Sequence, residues 1–149
     1  GLTPVLTVEG GVNSGYMIVQ YAAASMVSEN KIYAHPASVD SIPSSANQED
    51  IVSMGTTAGR KAGMIVKNTL DCLALELMTS CQAIDISRRL NSHGQGITPL
   101  HQAIYNKVRE KVAFFEIDRE IWPDIQAVKE MIYSGELLEL IKEYIPDFQ

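Results

Sequence analysis

The feature that most constrains this chain is the absence of proline between Pro43 and Pro99. Within that stretch glycines recur at positions 55, 59 and 63, and the apolar run LDCLALELM follows at 70–78. Proline breaks helix interiors, and a spacing of four places residues on one helix face. The pattern predicts one long helix, roughly Asn47 to Ile86, whose small residues would let another helix approach closely. Its second half is apolar nearly all round, which is typical of an enclosed helix.

The start of this helix is predicted near residue 46. Ser45 and Gln48 match the capping-box pattern S-x-x-Q, and Glu49 and Asp50 would place carboxylates in the first turn, where the helix dipole favours them. A helix of about 40 residues is about 60 Å long. Because a single chain of 149 residues is too small to cover it, the sequence also predicts oligomerisation.

The other elements are predicted from breakers and periodicity. Residues 1–12 read as an irregular lead-in, and Asn13 and Ser14 as caps of a helix that runs to about Asn30. Prolines at 36 and 43 indicate an extended polar loop, and residues 89–99 interrupt the helical pattern. Further helices are predicted at about 100–114 and 124–133, before an ELLELIKEYI tail. The expected fold class is all-α, built on a long central helix.

Composition excludes several functions. Twelve basic against eighteen acidic residues give a net charge of -6, so neither nucleic acid nor an anionic membrane is an expected partner. The sequence has no apolar run of about 18 residues and no secretory leader, which argues against a membrane span or secretion. Cys72 and Cys81 are nine residues apart on a predicted helix, beyond disulfide reach. A cytoplasmic location is therefore expected.

The residues alone carry no recognisable catalytic motif. His35, His93 and His101 lack metal-ligand spacing, so no metal is expected. The Gly94-Gln95-Gly96 cluster lacks the glycine pattern of a phosphate-binding loop, and no GxSxG motif is present. Without further information, Ser44 to Asp50 reads as a capped helix start, and Tyr16 and Met17 read as core packing.

Three segments nevertheless carry a resemblance. They are GGVNSGYMIVQYAAASMVSENK, AHPASVDSIPSSANQEDIVSMG and FFEIDREIWPDI. Together they resemble, in order, the C-terminal part of histidine ammonia-lyases, within the aromatic amino acid lyase and aminomutase superfamily. The likeness runs from about Leu2 to about Val128, and the second segment is the most specific. It implies that residues 1–149 are the C-terminal helical portion of such an enzyme.

The resemblance implies an all-α fold in which helices of four subunits form a central bundle, a homotetramer. It implies elimination of ammonia from L-histidine to give urocanate, assisted by a methylidene-imidazolone group that the protein makes from its own Ala-Ser-Gly. An electrophile activates the poor leaving amine while a base removes the β-proton.

The resemblance also assigns roles to four residues. Glu49 matches the family glutamate that reaches into the active site, where its carboxylate would form charge-assisted hydrogen bonds with the substrate. Gln48 and Asn47 would orient Glu49 or line the pocket, and Met17 matches a side-chain pocket position. Asp40 and Asp50 could instead be structural, holding loop amides.

Two departures from the family pattern leave alternatives open. Ile51 stands where histidine ammonia-lyases commonly carry His, so an ammonia-lyase or 2,3-aminomutase acting on tyrosine or phenylalanine is an alternative. Ala-Ser-Gly does not occur among the 149 residues, so the electrophile is expected in an upstream segment, and the isolated chain is expected to be inactive. A second alternative is a helical oligomerisation module without catalysis.

Overall fold

The computed structural model describes residues 1–90 and 96–148, and in that part the chain is helical. Its five α-helices are α1 (Met17–Tyr33), α2 (Gly55–Leu90), α3 (Pro99–Arg109), α4 (Trp122–Tyr133) and α5 (Glu136–Tyr144). Two short 3-10 helices cover Pro4–Leu6 and Ala37–Val39. Within these described ranges β-structure is limited to two isolated bridges, Gly10 with Asn13 and Ser44 with Glu49. The predicted all-α class is confirmed.

The chain divides into two compact units, each described here by itself. Unit 1 comprises Gly1–Ala23 and Leu70–Gln149, and unit 2 comprises Ala24–Thr69. Unit 1 contains the core, because every buried apolar side chain of the described residues belongs to it. These side chains come from the start of α1, the second half of α2, and α3 and α4 with the segment between them: Tyr16, Val19, Ala74, Leu75, Met78, Cys81, Ile86, Val108, Val112, Phe115, Ile125, Val128 and Met131.

Polar contacts complete unit 1. Gln82 is fully buried, and its amide donates to the carbonyls of Leu6 (3.2 Å) and Phe115 (2.9 Å) and accepts from the Phe115 N–H (3.1 Å). Asp85 on α2 pairs with Arg109 at 2.6 Å and accepts a hydrogen bond from Tyr105. Since buried polar groups are costly unless paired, these contacts fix how α3 and the 110–115 segment pack against α2.

Unit 2 consists of the end of α1, the loop at 34–54 and the first part of α2. No residue from 24 to 69 is buried. The glycines predicted to form a small-residue face are open, since a Cβ at Gly59 or Gly63 would meet nothing within 4 Å. The described unit 2 therefore has no hydrophobic core of its own.

The long helix is confirmed, but its predicted start is wrong. The helix begins at Gly55 and runs for 36 residues to Leu90, so Ser45 does not cap it and Glu49 and Asp50 do not lie in its first turn. Residues 45–47 have positive φ, which is incompatible with a right-handed helix. Ser53, two residues before the helix, contacts its start instead, its Oγ accepting the Gly55 N–H at 3.3 Å.

The second half of α2 also differs from the expectation of full enclosure. Its buried residues recur at helical spacing on one face: Asp71, Ala74, Leu75, Met78, Cys81, Gln82 and Ile86. Leu73, outside that set, is 44% exposed. In the described chain this half is therefore amphipathic rather than enclosed on all sides.

The shorter helices lie close to their predicted positions. Thr98 caps α3, accepting the His101 N–H, and Pro99 occupies its first turn. The helix ends at Arg109 rather than near Phe114, because the chain turns there to bury Val112 and Phe115. Gly135, with φ of 82°, separates α4 from α5, where the Ser134-Gly135 break was predicted. Residues 91–95, within the predicted break, lie outside the described part.

Candidate active-site loop

The loop between α1 and α2 carries three of the four predicted site residues on one tight turn. The backbones of Ser44 and Glu49 pair in both directions, Ser44 N–H to Glu49 O at 2.9 Å and Glu49 N–H to Ser44 O at 3.2 Å. Between them Ser45, Ala46 and Asn47 have φ of 50°, 55° and 65°. Three consecutive left-handed residues without glycine are unfavourable, and such strain is concentrated at functional sites.

The side chains of this turn point to no partner within the described chain. Asn47, Gln48 and Glu49 are all exposed. Among residues 1–90 and 96–148, no ion pair or hydrogen bond engages the Glu49 carboxylate. A carboxylate and two amides are thus displayed together on one tight turn, where they could bind an ammonium or an imidazole N–H.

The stem of the turn is held by Ser41. Its Oγ accepts the Val52 N–H at 2.8 Å and donates to the Asp50 carbonyl at 3.4 Å. A groove of about 420 Å³ beside the stem is lined in part by Asp40, Ser41 and residues 51–55. Asn47, Gln48 and Glu49 do not line it. These three predicted site residues are therefore brought together on the turn, but outside this groove.

The entry to the loop is anchored to α2. The Lys61 ammonium donates to the carbonyl of His35, just after α1 ends. One turn earlier, Glu29 accepts hydrogen bonds from Asn68 at 2.7 Å and from the Tyr33 hydroxyl at 2.9 Å. These hydrogen bonds, that of Asn68 foremost, lower the pKa of Glu29. The loop thus leaves α1 from a fixed point.

Met17, the fourth predicted site residue, belongs to unit 1, where it is the first residue of α1 and partly buried. Its neighbour Tyr16 is buried and meets the Phe115 ring edge to face, with centroids 5.5 Å apart. Burial raises the pKa of the Tyr16 phenol to about 12. The prediction of core packing is confirmed for Tyr16.

Asp118 positions the start of α1. This role of Asp118 was not predicted from the sequence. Its carboxylate accepts the N–H groups of Ser14 (2.7 Å) and Gly15 (2.9 Å), while its own N–H donates to Asn13 Oδ1 at 3.1 Å. The two backbone hydrogen bonds hold the pKa of Asp118 below its usual value. Asn13 and Ser14 are thus bound to a segment about a hundred residues away. Since these contacts engage them outside the helix, α1 begins only at Met17.

The described residues form neither a metal site nor a membrane-spanning helix. No group of three His, Cys, Asp or Glu side chains within 1–90 and 96–148 is arranged to hold a metal ion. None of the helices described is long and apolar enough to cross a membrane. Cys72 and Cys81 are both free thiols.

The sequence profile of the aromatic amino acid lyases matches residues 1–110, most of the chain. The chain belongs to the aromatic amino acid lyase family. Among its relatives in this family, the histidine ammonia-lyase of Caldanaerobacter subterraneus subsp. tengcongensis is 54% identical over 95% of the chain, and that of Symbiobacterium thermophilum 51% over 95%. The chain covers 27% of each of these two lyases, about a quarter of their length.

Solved structures of related lyases and aminomutases share this fold. The histidine ammonia-lyase from Trypanosoma cruzi superposes with a TM-score of 0.88 at 42% identity, over 98% of this chain and 28% of that one. The tyrosine aminomutase of Streptomyces globisporus superposes with a TM-score of 0.85 at 35% identity, over 96% of this chain and 26% of that one. The helical arrangement is therefore common to a histidine ammonia-lyase and a tyrosine aminomutase.

Proposed function

We propose that the chain is the C-terminal helical portion of a histidine ammonia-lyase, which eliminates ammonia from L-histidine to give urocanate. The observation that carries the proposal is the 54% identity to a histidine ammonia-lyase over 95% of the chain. Because the chain covers about a quarter of that relative, the proposed activity is that of a longer protein that contains these residues.

Within that protein Glu49 is the residue proposed to contact the substrate. Its carboxylate is exposed at the end of a turn that is closed by two backbone hydrogen bonds between Ser44 and Glu49. An ionised carboxylate hydrogen-bonds an ammonium or an imidazole N–H about twice as strongly as a neutral acceptor does. Gln48 and Asn47, on the same turn, would orient Glu49 or the substrate, and Met17 would contact the substrate side chain.

The methylidene-imidazolone group of the family would come from another segment, since Ala-Ser-Gly is absent from these 149 residues. When bound, that group supplies the electrophile that activates the amine for departure. The exposed donors and acceptors of the 44–49 turn suit an amino-acid substrate: one carboxylate for a cation, and two amides for further hydrogen bonds. The part of this chain would be to bind and orient the substrate.

Assembly into a homotetramer is proposed with this activity. Unit 2 has no buried side chain, although it exposes apolar residues on both of its helical segments, such as Val27, Ile32, Met64 and Val66. Exposed apolar surface of this kind is stabilised when other protein covers it. A cytoplasmic location remains part of the proposal and is supported by the free thiols Cys72 and Cys81.

A second candidate is an aminomutase or ammonia-lyase acting on tyrosine or phenylalanine. The tyrosine aminomutase of Streptomyces globisporus is 35% identical to this chain. Ile51, two residues after Glu49, is 85% exposed and offers no polar group to an imidazole. An apolar side chain at this position favours a substrate with an apolar ring.

The experiment measures which amino acid the longer protein converts, and into which product. L-histidine, L-tyrosine and L-phenylalanine are supplied in turn, and urocanate, coumarate, cinnamate and β-amino acids are measured. Urocanate from L-histidine is the expected product. Formation of coumarate, cinnamate or a β-amino acid in its place would support the second candidate, and no turnover of any substrate would favour a non-catalytic helical module.

The role of Glu49 is tested with Glu49→Gln, which removes the charge and keeps the shape. We expect kcat/KM for L-histidine to fall about 100-fold, because a charge-assisted contact in the transition state is lost. Glu143→Gln, an exposed carboxylate on α5, is the matched control and should retain wild-type kinetics. Wild-type kinetics of Glu49→Gln would rule out this role of the carboxylate.

A further inference from the structure

The segment that joins Glu49 to α2 depends on one side chain for its hydrogen bonds. In the described chain, the backbone groups of residues 50–52 make hydrogen bonds with Ser41 Oγ and with no other group. The hydroxyl accepts the Val52 N–H at 2.8 Å and donates to the Asp50 carbonyl at 3.4 Å. Ser41 therefore takes the place that a peptide group of a paired strand would fill.

The Ser41 contacts extend the short pairing of the turn. Ser44 and Glu49 form one backbone pair, and Ser41 Oγ adds a second connection between the same two arms, directly on the α2 side of Glu49. Without it, the turn would be restrained in the described chain by the Ser44–Glu49 pair and by the hydrogen bond from the Gln48 N–H to the Ser45 carbonyl at 3.1 Å. A turn with three left-handed residues without glycine needs such restraint, because each of them can relax to a more favourable conformation.

We propose that Ser41 is a positioning residue, whose hydroxyl holds the 44–49 turn so that the Glu49 carboxylate is presented to the substrate. This inference rests on the proposed function of Glu49. Ser41 acts through Glu49 and does not itself contact the substrate. Small displacements of a contacting group are costly in catalysis, so loss of one brace is enough to lower the rate.

The variant Ser41→Ala, which lacks the hydroxyl, tests whether Ser41 positions Glu49 or only stabilises the protein. Ser41 is exposed, so Ser41→Ala creates no cavity and leaves its backbone partners open to water. Loops of low local stability open without global unfolding. We expect Ser41→Ala to lower kcat/KM for L-histidine about tenfold in the longer protein, with the thermal unfolding midpoint unchanged. Ser41→Thr keeps the hydroxyl and should lie within about twofold of wild type.

A double-mutant cycle with Glu49→Gln tests whether Ser41 acts through Glu49. If it does, adding Ser41→Ala to Glu49→Gln causes no further loss, because the group that Ser41 positions is already gone. The matched control is Ser38→Ala, an exposed serine of the same loop whose side chain makes no hydrogen bond among the described residues. This control should match wild type in all measurements.

The outcomes distinguish this inference from the proposed function. If Glu49→Gln is impaired while Ser41→Ala matches wild type, Ser41 is not a positioning residue and the role of Glu49 stands. A tenfold loss that recurs in the Glu49→Gln background, or one that Ser41→Thr shares, also overturns the inference. Wild-type kinetics of Glu49→Gln overturns both. Impairment of Ser41→Ala, rescue by threonine and no further loss in the double variant together support it.

Discussion

At the scale of single residues, the 45–47 turn explains the wrong helix start. Ser45 and Gln48 have the spacing of a capping box, yet a cap requires right-handed φ and ψ in the residues that follow it. Ala46 and Asn47 have φ of 55° and 65°, and Ser44 pairs with Glu49 across the turn. Of the three residues at 45–47, only Asn47 is of a type that commonly adopts the left-handed region. The backbone pairing between the two arms of the loop therefore outweighs the local preference for a helix start at Ser45.

Asp118 leads to a prediction about pH. Its pKa is lowered by the Ser14 and Gly15 N–H groups, so its stabilising contribution is present above 3.8 and is lost as the pH falls through the folded-state value. Asp118→Asn keeps one acceptor and loses the charge. We expect faster hydrogen–deuterium exchange at Ser14 and Gly15 in this variant at pH 7, and a difference from wild type that shrinks only as the pH falls below 3.8 and through the folded-state pKa of Asp118, as measured by mass spectrometry.

The control for Asp118 is Glu120→Gln, an exposed carboxylate two residues along the same segment. This variant should leave exchange at Ser14 and Gly15 unchanged over the same pH range. An Asp118→Asn effect that keeps its size as the pH falls through the folded-state pKa of Asp118 would contradict the assigned cause, because the protonated wild-type side chain should then resemble the amide.

At the scale of elements, the two halves of α2 differ in burial. Its second half buries one face in the core of unit 1, while in unit 2 its first half remains exposed. In the buried half a polar side chain has a central place: Gln82 is fully buried and bonded to the carbonyls of Leu6 and Phe115 and to the Phe115 N–H. These bonds join α2 to the short 3-10 helix at Pro4–Leu6 and to the segment that follows α3.

Replacing Gln82 with leucine should therefore destabilise unit 1. The variant leaves the Phe115 N–H without its partner in a buried position, together with the Leu6 and Phe115 carbonyls. Each buried unsatisfied group costs about 1–3 kcal/mol, so we expect the free energy of unfolding to fall by about 3 kcal/mol or more in urea titrations. Ser80→Ala, on the exposed side of the same helix, should change it by less than about 0.5 kcal/mol. Equal effects of the two changes would show that the Gln82 contacts are not important for stability.

At the scale of the whole molecule, unit 2 lacks what a stable folding unit needs. None of its residues is buried, and Gly59 and Gly63 have open space where a side chain would lie. Glycines in a helix interior cost about 1 kcal/mol each relative to alanine. Their presence on an open face is consistent with close packing by another helix, as expected for the proposed tetramer.

This interpretation is tested with Gly59→Leu in the longer protein. Leucine improves helix propensity, so the change should stabilise an unpartnered helix but block close approach of a neighbour. We expect smaller species than the wild-type assembly by sedimentation at matched concentration. Thr57→Leu is the control, since position 57 lies about 160° around the helix from Gly59 at 100° per residue. An assembly unchanged by Gly59→Leu, or dissociated equally by both variants, would contradict packing at this glycine face.

Elements whose causes are local are predictable from the sequence. The break that ends at Pro99 predicts the start of α3, Ser134-Gly135 predicts the separation of α4 from α5, and the proline-free stretch predicts the long helix α2. Such signals act within a few residues and need no distant partner. The resemblance to the lyases likewise predicts site roles for Glu49 and its neighbours from a contiguous segment, and these roles remain predictions.

The conformations of the loop and of the start of α1 depend instead on contacts between residues that are separated along the chain. The Ser44–Glu49 pair excludes the predicted helix start, Ser41 bonds across the two arms of the loop, and Asp118 binds Ser14 and Gly15 from about a hundred residues away. Each contact joins groups whose separation along the chain carries no periodic signal. Their hydrogen bonds exist only once the chain has folded, because folding alone brings donor and acceptor within reach.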